Sequence, residues 1–164
     1  MFCIFFMLLF VSCCSAEVNN PVAKVNKTDN ILCRECGSQI LTSDTIISKY
    51  SAASQYSFND TLFNRKDVLV QLLVQDIFMR YPVIISSKSS CLGKGDWEDD
   101  EFWFPDYVMK PCFCPECGAF LGWMFENDSP TTVYSTTNQF FGLILTNIIS
   151  ENFTNSLLTY PYIV

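Results

Sequence analysis

Two short cysteine pairs constrain this chain more than anything else in it. Cys33-Arg-Glu-Cys36 and Cys114-Pro-Glu-Cys117 are both CxxC pairs, each followed directly by a glycine, Gly37 and Gly118. A CxxC turn lets two sulfurs converge on one ion while the backbone amides of the turn soften their charge. Four thiolates at about 2.3 Å then complete the tetrahedron that zinc prefers. The 77 residues between the pairs exceed the spacing of a compact zinc ribbon, so the ion is expected to tie together two distant hairpins. Such a site is structural, because four protein ligands leave no open position for water or substrate. In an oxidising compartment the same cysteines also read as disulfides or as one redox-active pair; the matched glycines favour the metal.

What the chain lacks narrows its chemistry. None of its 164 residues is histidine. That removes Ser-His-Asp and Cys-His catalytic pairs, imidazole-ligated zinc and a histidine pH switch. Seventeen acidic side chains face ten scattered basic ones, for a net charge of −7, so no nucleic-acid partner is expected. The length suits one hydrophobic core rather than two.

The first sixteen residues carry no charged side chain and hold an apolar run, Phe2 to Val11, that ends in Cys14-Ser15-Ala16. This reads as a secretory signal peptide, too short for a membrane span of roughly 20 residues; a buried helix is the other reading. Residues 17–30 are polar and read as a flexible leader, 31–150 as the folded domain and 151–164 as a tail. In a secreted, extracellular chain the sequons at Asn26, Asn59, Asn127 and Asn152 are candidate glycosylation sites on exposed loops. With the signal removed and four cysteines on the metal, Cys91 and Cys112 remain as an even pair. They are expected to form a disulfide, with two separate buried thiols as the alternative.

Between and after the cysteine pairs the pattern is mainly β. Ile46–Tyr50, Asp67–Phe78, Tyr81–Ser86, Leu121–Phe125, Thr131–Ser135 and Phe140–Leu145 are dense in β-formers, with a turn at Asp128-Ser129-Pro130. Leu69 to Phe78 fits a short helix almost as well as a strand. Around the second pair, Phe102-Trp103-Phe104-Pro105-Asp106-Tyr107 and Leu121-Gly122-Trp123-Met124-Phe125 concentrate aromatic rings. They read either as ordinary core or as a pocket for a planar or cationic ligand framed by the metal.

The order CxxC, Trp-Phe-Pro-x-Tyr, CxxC-x-x-x-Leu-Gly-Trp-x-Phe and Phe-Phe-Gly-Leu at 140–143 resembles the CULT domain, the ligand-binding domain of cereblon, across roughly residues 31–150. The related Yippee domain shares the cysteine pairs and the Leu-Gly-Trp run but lacks Trp-Phe-Pro-x-Tyr. The resemblance implies a β-tent, two antiparallel sheets pinned by one structural zinc. It also implies an aromatic cage for cyclic imides and related planar rings, or for a modified peptide end bearing such a ring.

Trp103 falls on the first cage tryptophan, Trp123 on the third and Phe125 on the closing aromatic. Glu101 and Phe102 fall where the family lends backbone hydrogen bonds to the imide. Met109 stands where the family has its second tryptophan, so a thioether replaces a broad π-face. The implied function is non-catalytic ligand binding. The chain has no room for cereblon's Lon-like domain or adaptor-binding helices, so no ubiquitin-ligase adaptor is an expected partner.

Two other classes remain open. One is a protein-interaction module whose cage has collapsed onto its own side chains. The other is a redox enzyme like the B-type methionine sulfoxide reductases, for which only Cys91 or Cys112 could supply the reactive thiol.

Overall fold

A computed structural model describes residues 28–75, 78–100, 102–127 and 139–158. The signal segment, the leader as far as residue 27, Asn26, Glu101, the turn at Asp128–Pro130, the strand expected at Thr131–Ser135 and residues 159–164 lie outside the described residues.

In chain order the elements begin with β1 (Asn30–Cys33), β2 (Gln39–Thr42), a 3-10 turn at Ser43–Thr45, β3 (Ile46–Ile47), β4 (Tyr56–Leu62), β5 (Arg65–Val74) and β6 (Arg80–Ser86). They continue with β7 (Leu92–Gly93), β8 (Glu98–Asp99), β9 (Tyr107–Phe113), β10 (Phe120–Asn127), β11 (Gln139–Ile144), a second 3-10 turn at Leu145–Asn147, β12 (Ile148–Ser150) and helix α1 (Glu151–Leu158). The strands form two antiparallel sheets. One has three strands in the order β12-β1-β2; the other runs β4-β5-β6-β11-β10-β9-β7, with β3 beside β6 and β8 beside β9.

Of Leu69–Phe78, which fitted a helix almost as well as a strand, Leu69–Val74 is strand, and residues 76–77 lie outside the described residues. In β5, Val68 and Val70 are buried in one hydrophobic cluster and Leu73 in the other, so successive residues serve opposite faces. Only period-2 geometry allows that. Of Ile46–Tyr50 only Ile46 and Ile47 pair, with Ser86 and Ile85; the chain then leaves the sheet. The ends of the folded unit differ from the expected limits. Asp29 is buried and Asn30 opens β1, although the leader was expected to reach residue 30; within the expected tail, Glu151–Leu158 is helical.

Asp29 ties these ends together. Its carboxylate accepts the Ser150 hydroxyl at 2.5 Å and the Asn152 amide N–H at 3.2 Å, and its own amide donates to the Ser43 hydroxyl at 3.0 Å.

Two clusters cover the two faces of the large sheet. The first holds Val68, Val70, Ile84, Phe141 and Leu143 and packs against Ile31, Ile40, Leu41 and Ile148 of the small sheet and its margins. The second, Leu73, Val83, Ile85, Phe140 and Ile144 with Trp103, Phe104, Trp123 and Phe125, is roofed by the loop between β8 and β9. The disulfide Cys91–Cys112, whose sulfurs are both buried, fastens the segment entering that loop to β9.

The Leu121-Gly122-Trp123 run decides which residues reach the second face. Strict alternation would put Leu121, Trp123 and Phe125 together, yet Leu121 lies in the first cluster and the two aromatics in the second. A register shift between Phe120 and Gly122 against β9 supplies the extra residue that switches the phase. Gly122 sits there at φ 146°, and a Cβ on it would lie 2.0 Å from the Gly142 carbonyl oxygen. Both the backbone conformation and the approach to β11 exclude any side chain. Gly122→Ala is expected to destabilise the fold by about 2 kcal/mol or more, measured as a lower urea midpoint by far-UV circular dichroism.

Candidate metal centre and aromatic face

Cys33 closes β1 and Cys114 follows β9, so each knuckle is the turn of a hairpin, one in each sheet. The two turns are built alike. In the first, Gly37 N–H donates to the Cys33 carbonyl (2.9 Å) and Cys33 N–H to that of Ser38 (2.8 Å). In the second, Gly118 N–H donates to Cys114 (3.0 Å) and Cys114 N–H to Ala119 (2.8 Å). The glycines take φ 76° and 73°, the left-handed conformation that closes such a turn cheaply.

The four sulfurs lie within 4.8 Å of one another, close enough to hold a metal ion. Cys33 Sγ is 3.7 Å from Cys117 Sγ, and Cys36 Sγ is 3.6 Å from Cys114 Sγ. A tetrahedron with 2.3 Å metal–sulfur bonds has edges of about 3.8 Å, so the donor set fits one ion at its centre. Cys33 and Cys114 are buried in the first cluster while Cys36 and Cys117 face solvent, so the ion would stand at the rim of the core.

The shared environment shifts the thiols in opposite directions. Desolvation raises the Cys114 thiol, but the Ser38 hydroxyl and the Cys117 and Glu116 amides outweigh it and bring it down to about 6. At Cys117 the Ala119 amide pulls the thiol down, while desolvation and the sulfurs of Cys36, Cys114 and Cys33 drive it up to about 12. Four thiolates this close would repel one another, and a divalent ion bound among them would compensate that charge. Ser38, whose hydroxyl is 3.1 Å from both Cys36 Sγ and Cys114 Sγ, is a site residue that the sequence reading missed. A hydroxyl just after a CxxC-Gly turn is the signal that could have found it. Arg34 anchors the first knuckle from outside, its guanidinium donating to the Ile148 carbonyl at 3.2 Å.

The aromatic residues stand on the other face of the large sheet. Trp103 and Trp123 meet edge to face, 4.7 Å between centroids, and Tyr81 and Phe120 each pack edge-on against Trp123 at 5.1 Å. Phe125 is fully buried, stacked on Phe140 at 4.7 Å with Phe104 at 5.1 Å across it. A cleft of about 240 Å³ remains beside Trp123. Its apolar walls are Met109, Pro111, Phe120 and Trp123, and Gln75 and Glu98 bring polar groups to it. Lys110 also borders it, with its ammonium 4.1 Å from the Trp97 ring centroid.

Of the residues expected in a cage, Trp123 and Met109 therefore line the cleft and Trp103 supports Trp123 edge-on. Phe125 lies deeper in the cluster, and Phe102 is 76% exposed. The metal was expected to act as a rigid frame for an aromatic pocket. The cysteines belong to the first cluster and the aromatic residues to the second, with β10 contributing to both because the extra residue at Leu121 switches the phase before Trp123.

Trp103 is held by residues that the sequence reading passed over. The buried Asp100 carboxylate accepts the amide N–H groups of Phe102 (3.2 Å), Trp103 (2.8 Å) and Phe104 (2.8 Å). The Ser51 hydroxyl donates to the Trp103 carbonyl at 2.6 Å, and the indole N–H donates to the Val74 carbonyl at 3.0 Å. Buried Gln71 accepts the Ser51 amide at 2.6 Å and donates to the Lys49 carbonyl at 2.9 Å. Lys49 in turn lays its ammonium over the rings of Tyr107 at 4.5 Å and Phe140 at 4.8 Å. The Phe102 amide, one of the groups expected to orient a ligand, is thus already engaged. An aspartate three residues before a tryptophan in a loop is a legible Asx pattern. The role of Gln71, a lone amide in an apolar strand, depends on a loop 20 residues away.

No protein-family model matches this chain, and no curated protein matches it.

Two outcomes are expected here. Elemental analysis of the purified protein should find one metal ion per chain, and Cys114→Ser should lose the ion and the cooperative thermal transition together. Asp100→Ala strands three amide donors in a buried loop and is expected to cost about 3 kcal/mol, read as a lower denaturant midpoint with red-shifted tryptophan emission.

Proposed function

We propose that this chain is a secreted, zinc-stabilised β-tent domain of the CULT type. In this reading it binds a small planar ring, cyclic imide-like or carried on a modified peptide end, in the cleft beside Trp123, and it catalyses no reaction. One observation carries the binding reading: a cleft the size of a single heterocycle, walled by an indole, a phenyl ring, a proline and a thioether, with Glu98 and Gln75 to meet ring N–H and C=O groups. Zinc suits an all-thiolate tetrahedron, a geometry in which iron is its competitor. Secretion agrees with the Cys91–Cys112 disulfide, a bond that persists in oxidising compartments. The redox-enzyme alternative needs a reactive thiol at Cys91 or Cys112, and those two sulfurs are joined to each other and buried.

The cleft differs from the family's cage in a way that bears on affinity. With Met109 as one wall, a thioether stands where the family has its second tryptophan, and the rings that line the cleft are those of Trp123 and Phe120. A second reading, an interaction module with a collapsed cage, is favoured by one specific observation: Trp103 packs directly on Trp123, and each is at most 5% exposed.

Titration of the intrinsic tryptophan fluorescence with glutarimide, hydantoin and uracil separates the two. The binding reading expects saturable quenching by at least one of them, and about tenfold tighter binding, equivalent to about 1.4 kcal/mol, in Met109→Trp. If neither the parent nor a folded Met109→Trp responds to any of the three, the interaction-module reading takes its place. Elemental analysis identifying an ion other than zinc would overturn the metal assignment.

A further inference from the structure

The large sheet ends in two unlike edges. At one end β7 is two residues long, too short to template another strand. At the other, β4 runs seven residues and, among the described residues, pairs only with β5. The edges of the small sheet, β12 and β2, span three and four residues. β4 is thus the longest open edge among the described residues.

An open edge offers unpaired backbone donors and acceptors to any extended chain, and proteins usually blunt it with lysine, proline or a bulge. From Tyr56 to Asp60 this strand has none of these: its register against β5 is regular from Tyr56↔Leu72 to Asp60↔Val68 and shifts only beyond Asp60. Tyr56 and Phe58 are exposed, their ring centroids 5.8 Å apart, and Asp60 is the strand's one charge. Left bare, such a strand is a template for pairing with a second copy of itself.

In the middle of this edge stands Asn59, exposed, opening the sequon Asn59-Asp60-Thr61, whose threonine is exposed as well. The sequon in α1 is differently placed. There Asn152 is only partly exposed, its backbone N–H donates to Asp29, and the Thr154 hydroxyl is spent on the Ser150 carbonyl at 2.6 Å. Asn127 ends β10 opposite Tyr107, and the rest of its sequon lies outside the described residues.

We propose that Asn59 carries an N-linked glycan that closes the open edge of the sheet against a second copy of this chain. The inference rests on the secretory part of the reading above. The donor is a lipid-linked oligosaccharide diphosphate: a bond forms between Asn59 Nδ2 and the anomeric carbon of the first sugar. The bond from that carbon to the diphosphate oxygen breaks, the lipid diphosphate leaves, and the amide gives up one proton. A strand added to β4 would lie about 4.8 Å away, with its nearest side chains about 5 Å from that of Asn59. A branched glycan fills the approach that the rest of a second copy would need.

The test uses the full chain made in secreting eukaryotic cells. Peptide mapping before and after enzymatic deglycosylation should find most Asn59 modified, and light scattering should give the parent a monomer mass. Asn59→Gln and Thr61→Ala, which remove the sequon from either end, should roughly double that mass at the same concentration. Adding Phe58→Lys to Asn59→Gln should restore the monomer, because it charges the same edge; a doubling that came from misfolding would persist. A secreted chain with Asn59 unmodified, or Asn59→Gln and Thr61→Ala chains that stay monomeric, overturns the proposal and leaves secretion standing. A chain retained in the cytosol with no sequon modified overturns both.

Discussion

The convergence of four sulfurs from two hairpins is the interaction on which the rest of the architecture depends. β1 and β2 belong to a sheet of three short strands, which on its own buries too little to persist in water. It becomes stable by laying Ile31, Ile40 and Leu41 against the large sheet, and the cysteine cluster fixes where that contact forms. A single ion there would join residues more than 80 positions apart, Cys33 to Cys117. Closing so long a loop carries an entropic penalty that grows only slowly with length, so one strong coordination site would offset it where many weak contacts would otherwise be needed. The cross-link also explains why the ends of the folded unit meet nearby. With β1 held between β2 and β12, Asp29 comes within reach of Ser150 and Asn152.

The second face of the large sheet solves a different problem. It has a full set of aromatic and aliphatic side chains but is roofed by loop, and loops must satisfy their own backbone groups. Asp100 accepts three amides in succession, Ser51 takes up the Trp103 carbonyl, and Gln71 reaches from the sheet to hold the segment that carries Ser51 and Lys49. None of the polar atoms so buried is left unpaired among the described residues. The roof's backbone groups are thus hydrogen-bonded without strand geometry, and the Trp103 ring meets Trp123 edge to face.

How much of this was legible follows from the range of the signals. The cysteine cluster could be read because the information is local: two cysteines, a two-residue gap and a glycine for the left-handed turn. The strands at β6, β10 and β11 could be read because apolar side chains on both faces produce dense Val, Ile, Leu and Phe runs. β4, by contrast, reads Tyr-Ser-Phe-Asn-Asp-Thr-Leu and has no buried residue, so Asn59 and Asp60 broke the dense apolar run by which the other strands were read, and its pairing with β5 is what reveals it. The limits of the folded unit were misplaced because Asp29 looks like any polar leader residue until Ser150 is brought beside it. The aromatic residues were recognisable as a group, but their division between cleft and core was not, since it turns on one extra residue in β10.

That extra residue also determines how the two sites relate. Because Leu121 joins the metal-side cluster and Trp123 the opposite one, the same strand serves both, with Phe120 between them bordering the cleft and packing edge-on against Trp123. An ion held by the four cysteines would therefore act on the cleft through the course of β10, not by contact. A rigid knuckle fixes where β10 begins, the bulge at Gly122 fixes which way its aromatics point, and the close approach to Gly142 fixes its distance from β11. The last two of these constraints are set by backbone geometry, and the first by the hydrogen-bonded turn at Cys114–Ala119, so the side chains lining the cleft are presented by a frame that they do not themselves build.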